Sequence, residues 1–218
     1  MGASSAEVRV LANERLGPGC FLLSFERAKV SFQTGQYLSL GLPGHREQRE
    51  YSIYSGEGED HLSVLVKEVP QGLVSRRLAA LVPGDVVHVD GPFGYFTLGP
   101  EGEPGGPLLF LATGTGISPF HSFVATRPNL DYTILHGVRT QAELSLEQGF
   151  DSQKIISCVS REDGGSFHGR VTERLKTYPV QPGTHAYLCG NCDMIYEAFD
   201  LLRTFGVPSD QISTEVYF

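Results

Sequence analysis

The sequence predicts two domains, an antiparallel β-barrel followed by an α/β doubly wound parallel sheet, and three observations carry that reading. The first hundred residues hold six short strand-like runs separated by Gly, Pro and Asp clusters, as an all-β barrel requires. A stretch without periodicity, GPEGEPGGP at 99–107, then marks a boundary between 1–100 and 101–218. Beyond it, solid apolar runs alternate with helix-like segments, as strands buried on both faces alternate with crossover helices.

The barrel strands are EVRVLANERL, CFLLSFER, GQYLSLGL, REYSIYS, HLSVLVKEV and DVVHVDGP, with LGPG, LPGH and SGEGED as turns. GLVSRRLAALVPGD interrupts them, because Leu73, Val74, Leu78 and Leu81 fall at helical spacing before PGD stops the helix. In the second domain, LLFLATGTGISPFHSFVA reads as buried strand, Gly-Thr turn and helix. DYTILHGVR, KIISCVSRE and HAYLCGN are further strands, RVTERLKTY and DMIYEAFDLLRTFG are helices, and DQISTEVYF is an edge strand carrying the C-terminus.

Composition narrows the function classes. The 218 residues are 40% hydrophobic and 19% charged, with 26 glycines and 13 prolines, a globular and turn-rich balance. The first hundred residues carry 9 basic against 11 acidic side chains and the remainder 8 against 14, so no basic face invites nucleic acid. No apolar run reaches the roughly 20 residues of a membrane span, and no signal peptide opens the chain, so a cytoplasmic protein is expected, and a monomer. Four cysteines are too scattered for a disulfide framework. The one close pair, Cys189 and Cys192, cannot by itself hold a structural zinc or an iron–sulfur cluster, which leaves a redox-active dithiol as its lesser alternative. No metal site is expected: the seven histidines show no ligand spacing and read as surface or supporting residues.

Several motifs admit a chemical and a plain reading. ATGTGISP (Ala112–Pro119) is either a tight strand–helix turn or a phosphate cradle at a helix start, with Gly114 and Gly116 in place but no third glycine of the dinucleotide pattern. Pro119 suits helix initiation either way. Ser160 and Arg161 of VSRE, with Arg170, are either solvated or a phosphate clamp beyond strand ends. Cys189 in LCGNCDM is a core thiol or lies against a reacting cofactor, and Cys192 starts the next helix. The aromatic end EVYF either anchors in a groove or covers a flat ligand.

In order, R-x-Y-S-x-x-S, G-x-x-S, G-P-x-G, T-G-T-G-x-S-P, V-S-R-E, C-G-N and a terminal E-x-Y-aromatic resemble the ferredoxin–NADP reductases, in their bacterial FAD-containing form, over nearly the whole chain. The resemblance implies a flavin-binding barrel and a nicotinamide-binding α/β domain, with FAD rather than FMN and NADPH rather than NADH. It places Arg49 on the flavin pyrophosphate, Tyr51 on the isoalloxazine and Ser52 near N5, with Ile53 beside them. Lys67, Gly72, Leu73, Val74 and Ser75 form a second flavin contact. Thr113, Gly114, Thr115, Gly116, Ser118 and Pro119 cradle the dinucleotide, joined by Arg139 and Gly190, and Ser160, Arg161 and Arg170 clamp the 2′-phosphate. Cys189 and Glu215 lie near hydride transfer, and Tyr217, or less favoured Phe218, covers the flavin. Cys192 stands where relatives commonly carry proline.

The implied partner is ferredoxin or flavodoxin, exchanging electrons with NADP(H) by way of flavin N5. Arg27, Lys29, Arg46, Arg76 and Arg77 offer a basic patch on an otherwise acidic chain. The alternatives are a free-flavin reductase, an oxygenase reductase component using NADH, or a docked flavin subunit. Alternation puts Arg49 and Tyr51 on one face of REYSIYS and Ser52 on the other. One flat ligand cannot meet both faces, so the strand must bend or end near Ser52, or the flavin must cap its end.

Overall fold

The computed structural model describes residues 4–98 and 105–217. Most of the expected boundary stretch (99–104) and Phe218 lie outside the described residues. By contacts the chain divides into two compact units. The described parts of Met1–Thr97 with Ser118–Pro128 form one, and those of Leu98–Ile117 with Asn129–Phe218 the other.

All six barrel strands form in the first unit: β1 (Ser4–Gly17), β2 (Cys20–Glu26), β3 (Tyr37–Gly41), β4 (Gln48–Ser52), β5 (His61–Lys67) and β6 (Val86–Phe93). They pair antiparallel in the order β4-β3-β6-β1-β2-β5. The long strand β1 serves both halves of the sheet. Residues 4–9 pair with β6, and from Val10 onward the strand pairs with β2, with register shifts between Val10 and Ala12 and between Arg15 and Gly17. The two ends of the curled sheet meet at one bridge, Ile53 against Val64. Phe21, Phe25, Leu38, Leu40 and Ile53 are wholly buried inside it.

α1 (Leu73–Ala79) adds Val74 and Leu78 to this core. Leu73, expected on the same apolar stripe, is 49% exposed, because the buried pair Val74 and Leu78 defines a face that the first helical residue does not share. α2 (Ser118–Thr126) also packs in the first unit, where Phe123 stacks with Phe96 and Phe120 lies tilted against it.

The second unit is a parallel sheet in the order β10-β9-β8-β7-β11-β12. Its strands are β7 (Leu108–Thr113), β8 (Tyr132–Val138), β9 (Ile155–Val159), β10 (Phe167–His168), β11 (His185–Asn191) and β12 (Ile212–Tyr217). β12 takes the edge position read from the sequence. α3 (Val171–Lys176) and α4 (Cys192–Thr204) cover Leu109, Leu111, Leu135 and Leu188. The sheet grows from β7 to β8 on one side and to β11 on the other, which makes the end of β7 a topological switch point. Two-residue β10 and the 3-10 turns at Gly114–Ile117, Gln141–Glu147 and Ser209–Gln211 are too short to leave a periodicity.

Because Ile53 is fully buried where the barrel closes, Ile53→Ala is expected to cost about 2–5 kcal/mol. A urea titration reads this as a lower midpoint, and an unchanged midpoint would contradict the closure.

Candidate active site

β4 ends at Ser52, one of the outcomes left open for a strand that meets a flat ligand. Up to that residue it pairs with β3, with Arg49 opposite Leu40 and Tyr51 opposite Leu38. The next residue bridges to β5 instead, and Tyr54 N donates to Ser63 O at 2.8 Å. Tyr51 is half-buried against the barrel core, while the exposed Arg49 sets Nη1 on the Gln48 carbonyl at 2.7 Å. Burial pushes the Tyr51 phenol up to about 12 against the pull of Arg49, so its ring stays neutral.

Four hydrogen bonds fix the chain after Ser52. Ser118 Oγ donates to Ser52 O (3.1 Å), His121 Nδ1 to Tyr54 O (2.9 Å) and Ser122 Oγ to Ser55 O (2.7 Å), while Glu57 N donates to Thr126 Oγ1 (2.9 Å). The His121 ring also stacks on Tyr54 at 3.7 Å between centroids. Ser118 is 1% exposed, so its hydroxyl serves Ser52.

At the end of β5, exposed Lys67 precedes the turn into α1. Gly72 caps the helix, where a Cβ would come within 2.7 Å of Ser75 Oγ and 2.9 Å of Val69 Cβ. Ser75 is buried and accepts from Val69 N at 3.1 Å, which leaves the backbone N–H groups of Leu73, Val74 and Ser75 as this turn's donors. An exposed guanidinium, a neutral aromatic face and a helix start form a donor set that fits a flavin dinucleotide.

Gly114 and Gly116 are glycines for different reasons. Gly114 has φ +54, and a Cβ there would meet nothing within 4 Å, so the backbone stands open at that point. At Gly116 a Cβ would lie 2.4 Å from Cys189 O, because the turn leans on the end of β11. Gly190, at φ +126, meets Thr113 Oγ1 in the same way, and Thr113 Oγ1 accepts from Asn191 N at 2.8 Å. Of the two readings open for this turn, tight packing already accounts for Gly116, whereas Gly114 is left free for phosphate approach. Thr115 and Pro119 complete this open turn and the start of α2.

Arg139, Ser160, Arg161 and Arg170 follow β8, β9 and β10, so all four gather at the carboxyl end of the sheet. Arg161 N donates to Arg139 O at 3.0 Å, and Ser160 Oγ to Val138 O at 3.1 Å. All three arginines are exposed, and no ion pair holds their guanidinium groups among the described residues.

Cys189 lies between Ala112 of β7 and Glu215 of β12, the central strand pair on one side and the edge on the other. Its thiol is wholly buried, 3.9 Å from Glu215 Oε2 and hydrogen-bonded to half-buried Tyr217. Burial first, and the Glu215 charge second, drive its pKa well up, so it stays a neutral thiol. Cys192 starts α4 as expected, with Asn191 Oδ1 accepting from Met194 N as the cap.

Two supporting residues, Glu143 and Glu147, left no mark in the sequence reading, and His136 stands there only among the seven histidines. Buried Glu143 accepts from Arg139 N (2.8 Å) and Thr140 N (3.1 Å), and the T-x-x-E spacing of TQAE was its available signal. Buried His136 and its partner Glu147 lie beneath the Gly114 turn, marked in sequence only by one polar residue inside an apolar strand. Of the expected basic patch, Arg27 is taken up by the carbonyls of Val30, Glu57 and Glu59, and Arg77 by His45.

Comparisons with known proteins agree with this architecture. The oxidoreductase FAD-binding domain family matches residues 15–98, and the oxidoreductase NAD-binding domain family matches 110–199. Ferredoxin–NADP reductase B of Sorangium cellulosum is 32% identical, over 99% of this chain and 98% of its own. The reductase component of propane 2-monooxygenase from Mycolicibacterium smegmatis is 30% identical, over 96% of this chain and 64% of its own. A crystal structure of a ferredoxin NADP+ reductase from Neisseria gonorrhoeae with bound FAD and NADP superposes with a TM-score of 0.86 at 25% identity, covering 98% of this chain and 99% of that one. Among the described residues no helix is long and apolar enough to cross a membrane. A barrel with an edge-strand grip, a parallel sheet with an open glycine turn at its switch point, and matches along both make this an FAD-containing, NAD(P)H-dependent oxidoreductase, and the chain belongs to the ferredoxin–NADP reductase family.

Proposed function

We propose that the chain carries electrons between NADPH and a one-electron protein carrier such as ferredoxin or flavodoxin. In this reading residues 1–100 hold FAD and residues 101–218 hold the nicotinamide dinucleotide, in line with the family matches. The observation that carries the preference for NADPH is the gathering of Arg139, Ser160, Arg161 and Arg170 at one sheet end. A planar guanidinium pairs a phosphate oxygen bidentately, and NADH offers no 2′-phosphate there.

Bound FAD supplies two-electron acceptance at N5 and one-electron release, and the chain supplies position and electrostatics. Tyr51 offers its neutral ring face, Ser52 its hydroxyl at the N5 edge, and Arg49 with the first turn of α1 the pyrophosphate contacts. At the nicotinamide end, the neutral Cys189 thiol fills space without charge and excludes water. Glu215 offers the negative charge that suits a ring becoming cationic. Tyr217 is the aromatic side chain that yields to the nicotinamide.

A second reading, an oxygenase reductase component using NADH, is favoured by the likeness to the propane 2-monooxygenase reductase component. Purified protein separates the two. Arg161→Ala combined with Arg170→Ala is expected to raise the KM for NADPH about tenfold to hundredfold, with kcat held and NADH kinetics little changed. Equal effects on NADPH and NADH would instead favour the second reading.

Two further outcomes follow from Cys189. Truncation to Cys189→Ala opens room beside the reacting ring and is expected to lower kcat about tenfold to hundredfold with the bound-flavin spectrum unchanged. Its folded pKa lies above the unfolded value of 9.0, so its contribution to stability is complete below pH 9.0 and is lost as pH rises further. Urea midpoints of the parent and Cys189→Ala should therefore converge above pH 9.0, and parallel curves would refute the buried thiol.

A further inference from the structure

His136 sits in the middle of the second unit's sheet, on β8, with no exposed surface. Its Nε2 is 3.0 Å from the Gly114 carbonyl and its Nδ1 is 2.9 Å from Glu147 Oε1. Ser157 Oγ of β9 donates to the other carboxyl oxygen, Glu147 Oε2, at 2.6 Å.

The partners settle where the protons are. A carbonyl oxygen can only accept, so Nε2 must carry a proton. Nδ1 faces Glu147 Oε1 on the other side, and the ring cannot turn over without losing both contacts. Ser157 holds the carboxylate, the carboxylate holds the ring, and the ring holds one backbone carbonyl of the glycine turn.

That carbonyl matters because a trans peptide is planar. Its C=O and the following N–H point in opposite directions. Holding Gly114 O down onto the buried His136 therefore aims Thr115 N–H away from the sheet core. Gly114 opens the 3-10 turn at φ +54, a conformation that glycine adopts readily, and His136 is a side chain that holds its carbonyl.

We infer that His136, braced by Glu147 and Ser157, is a positioning residue that locks the Gly114 peptide so that Thr115 N–H faces the dinucleotide pyrophosphate. The inference rests on the reading of Thr113–Ser118 as the dinucleotide turn.

The test compares two amides that differ only in reach, in the FAD-loaded full chain. His136→Gln extends its amide toward the Gly114 carbonyl, whereas His136→Asn reaches Glu147 but stops short of that carbonyl. NADP+ probes the turn, and adenosine 2′-monophosphate, which has no pyrophosphate, probes only the arginines. His136→Asn is expected to weaken NADP+ about tenfold to hundredfold, and His136→Gln to retain most of the parent affinity. Adenosine 2′-monophosphate should bind all three proteins alike. Parent-like NADP+ affinity in His136→Asn, or equal losses in both variants, would overturn the inference. So would parallel losses for both ligands. A parent that binds NADP+ no better than adenosine 2′-monophosphate would instead defeat the underlying reading of the turn. Independently of any variant, nitrogen-15 spectra of the parent should show the His136 Nε2 protonated, and a ring protonated at Nδ1 alone would refute the lock.

Discussion

A strand that leaves its ladder carries backbone groups that still need partners, and the first unit is organised around meeting that need. Between Ser52 and Glu57 the chain has given up β3 and makes little use of β5. Helix α2 supplies what is missing, with Ser118, His121, Ser122 and Thr126 spaced along one helical face. The barrel closure at Ile53, the end of β4 at Ser52 and the placing of Tyr51 and Arg49 just before it all lean on this ladder of side chains. Neutral hydrogen bonds of this kind contribute about 1 kcal/mol each, so their joint effect lies in fixing one geometry more than in bulk stability.

The second unit depends on close approach. Gly116 lies against the Cys189 carbonyl, and Gly190 lies against Thr113, so the ends of β7 and β11 interlock through two positions without side chains. The buried thiol is the residue between them. Its neutrality is a consequence of this tight packing, since no water reaches Cys189 and an acidic neighbour discourages ionisation.

Much of this was legible in the sequence where regular spacing or punctuation existed. Short strand-like runs between Gly, Pro and Asp clusters marked all six barrel strands, and the solid run LLFLAT marked the central parallel strand. The question of how one flat ligand could meet residues on both faces left a bend, an end near Ser52 or a capping ligand open, and the strand ends there. What stayed hidden depends on partners distant in sequence. Ser118 reads as the start of a helix after a phosphate turn, yet its hydroxyl serves a carbonyl 66 residues earlier. His136 has no neighbour in sequence that hints at Gly114, 22 residues away, or at a carboxylate on a 3-10 turn. Leu73 belongs to the helical pattern by hydropathy alone and is left out by the actual face that packs.

The discontinuous first unit has a consequence for how the chain is made. Synthesis delivers all six barrel strands once Phe93 has emerged, but the side chains that secure residues 52–57 come only with Ser118–Thr126. Between them the ribosome must release β7, the central strand of the other unit. In chain order, part of the second unit therefore lies between the barrel strands and the helix that hydrogen-bonds Ser52, Tyr54 and Ser55. The side chains that fix residues 52–57 are thus the last part of the first unit to be made, and they follow a strand that belongs to the second.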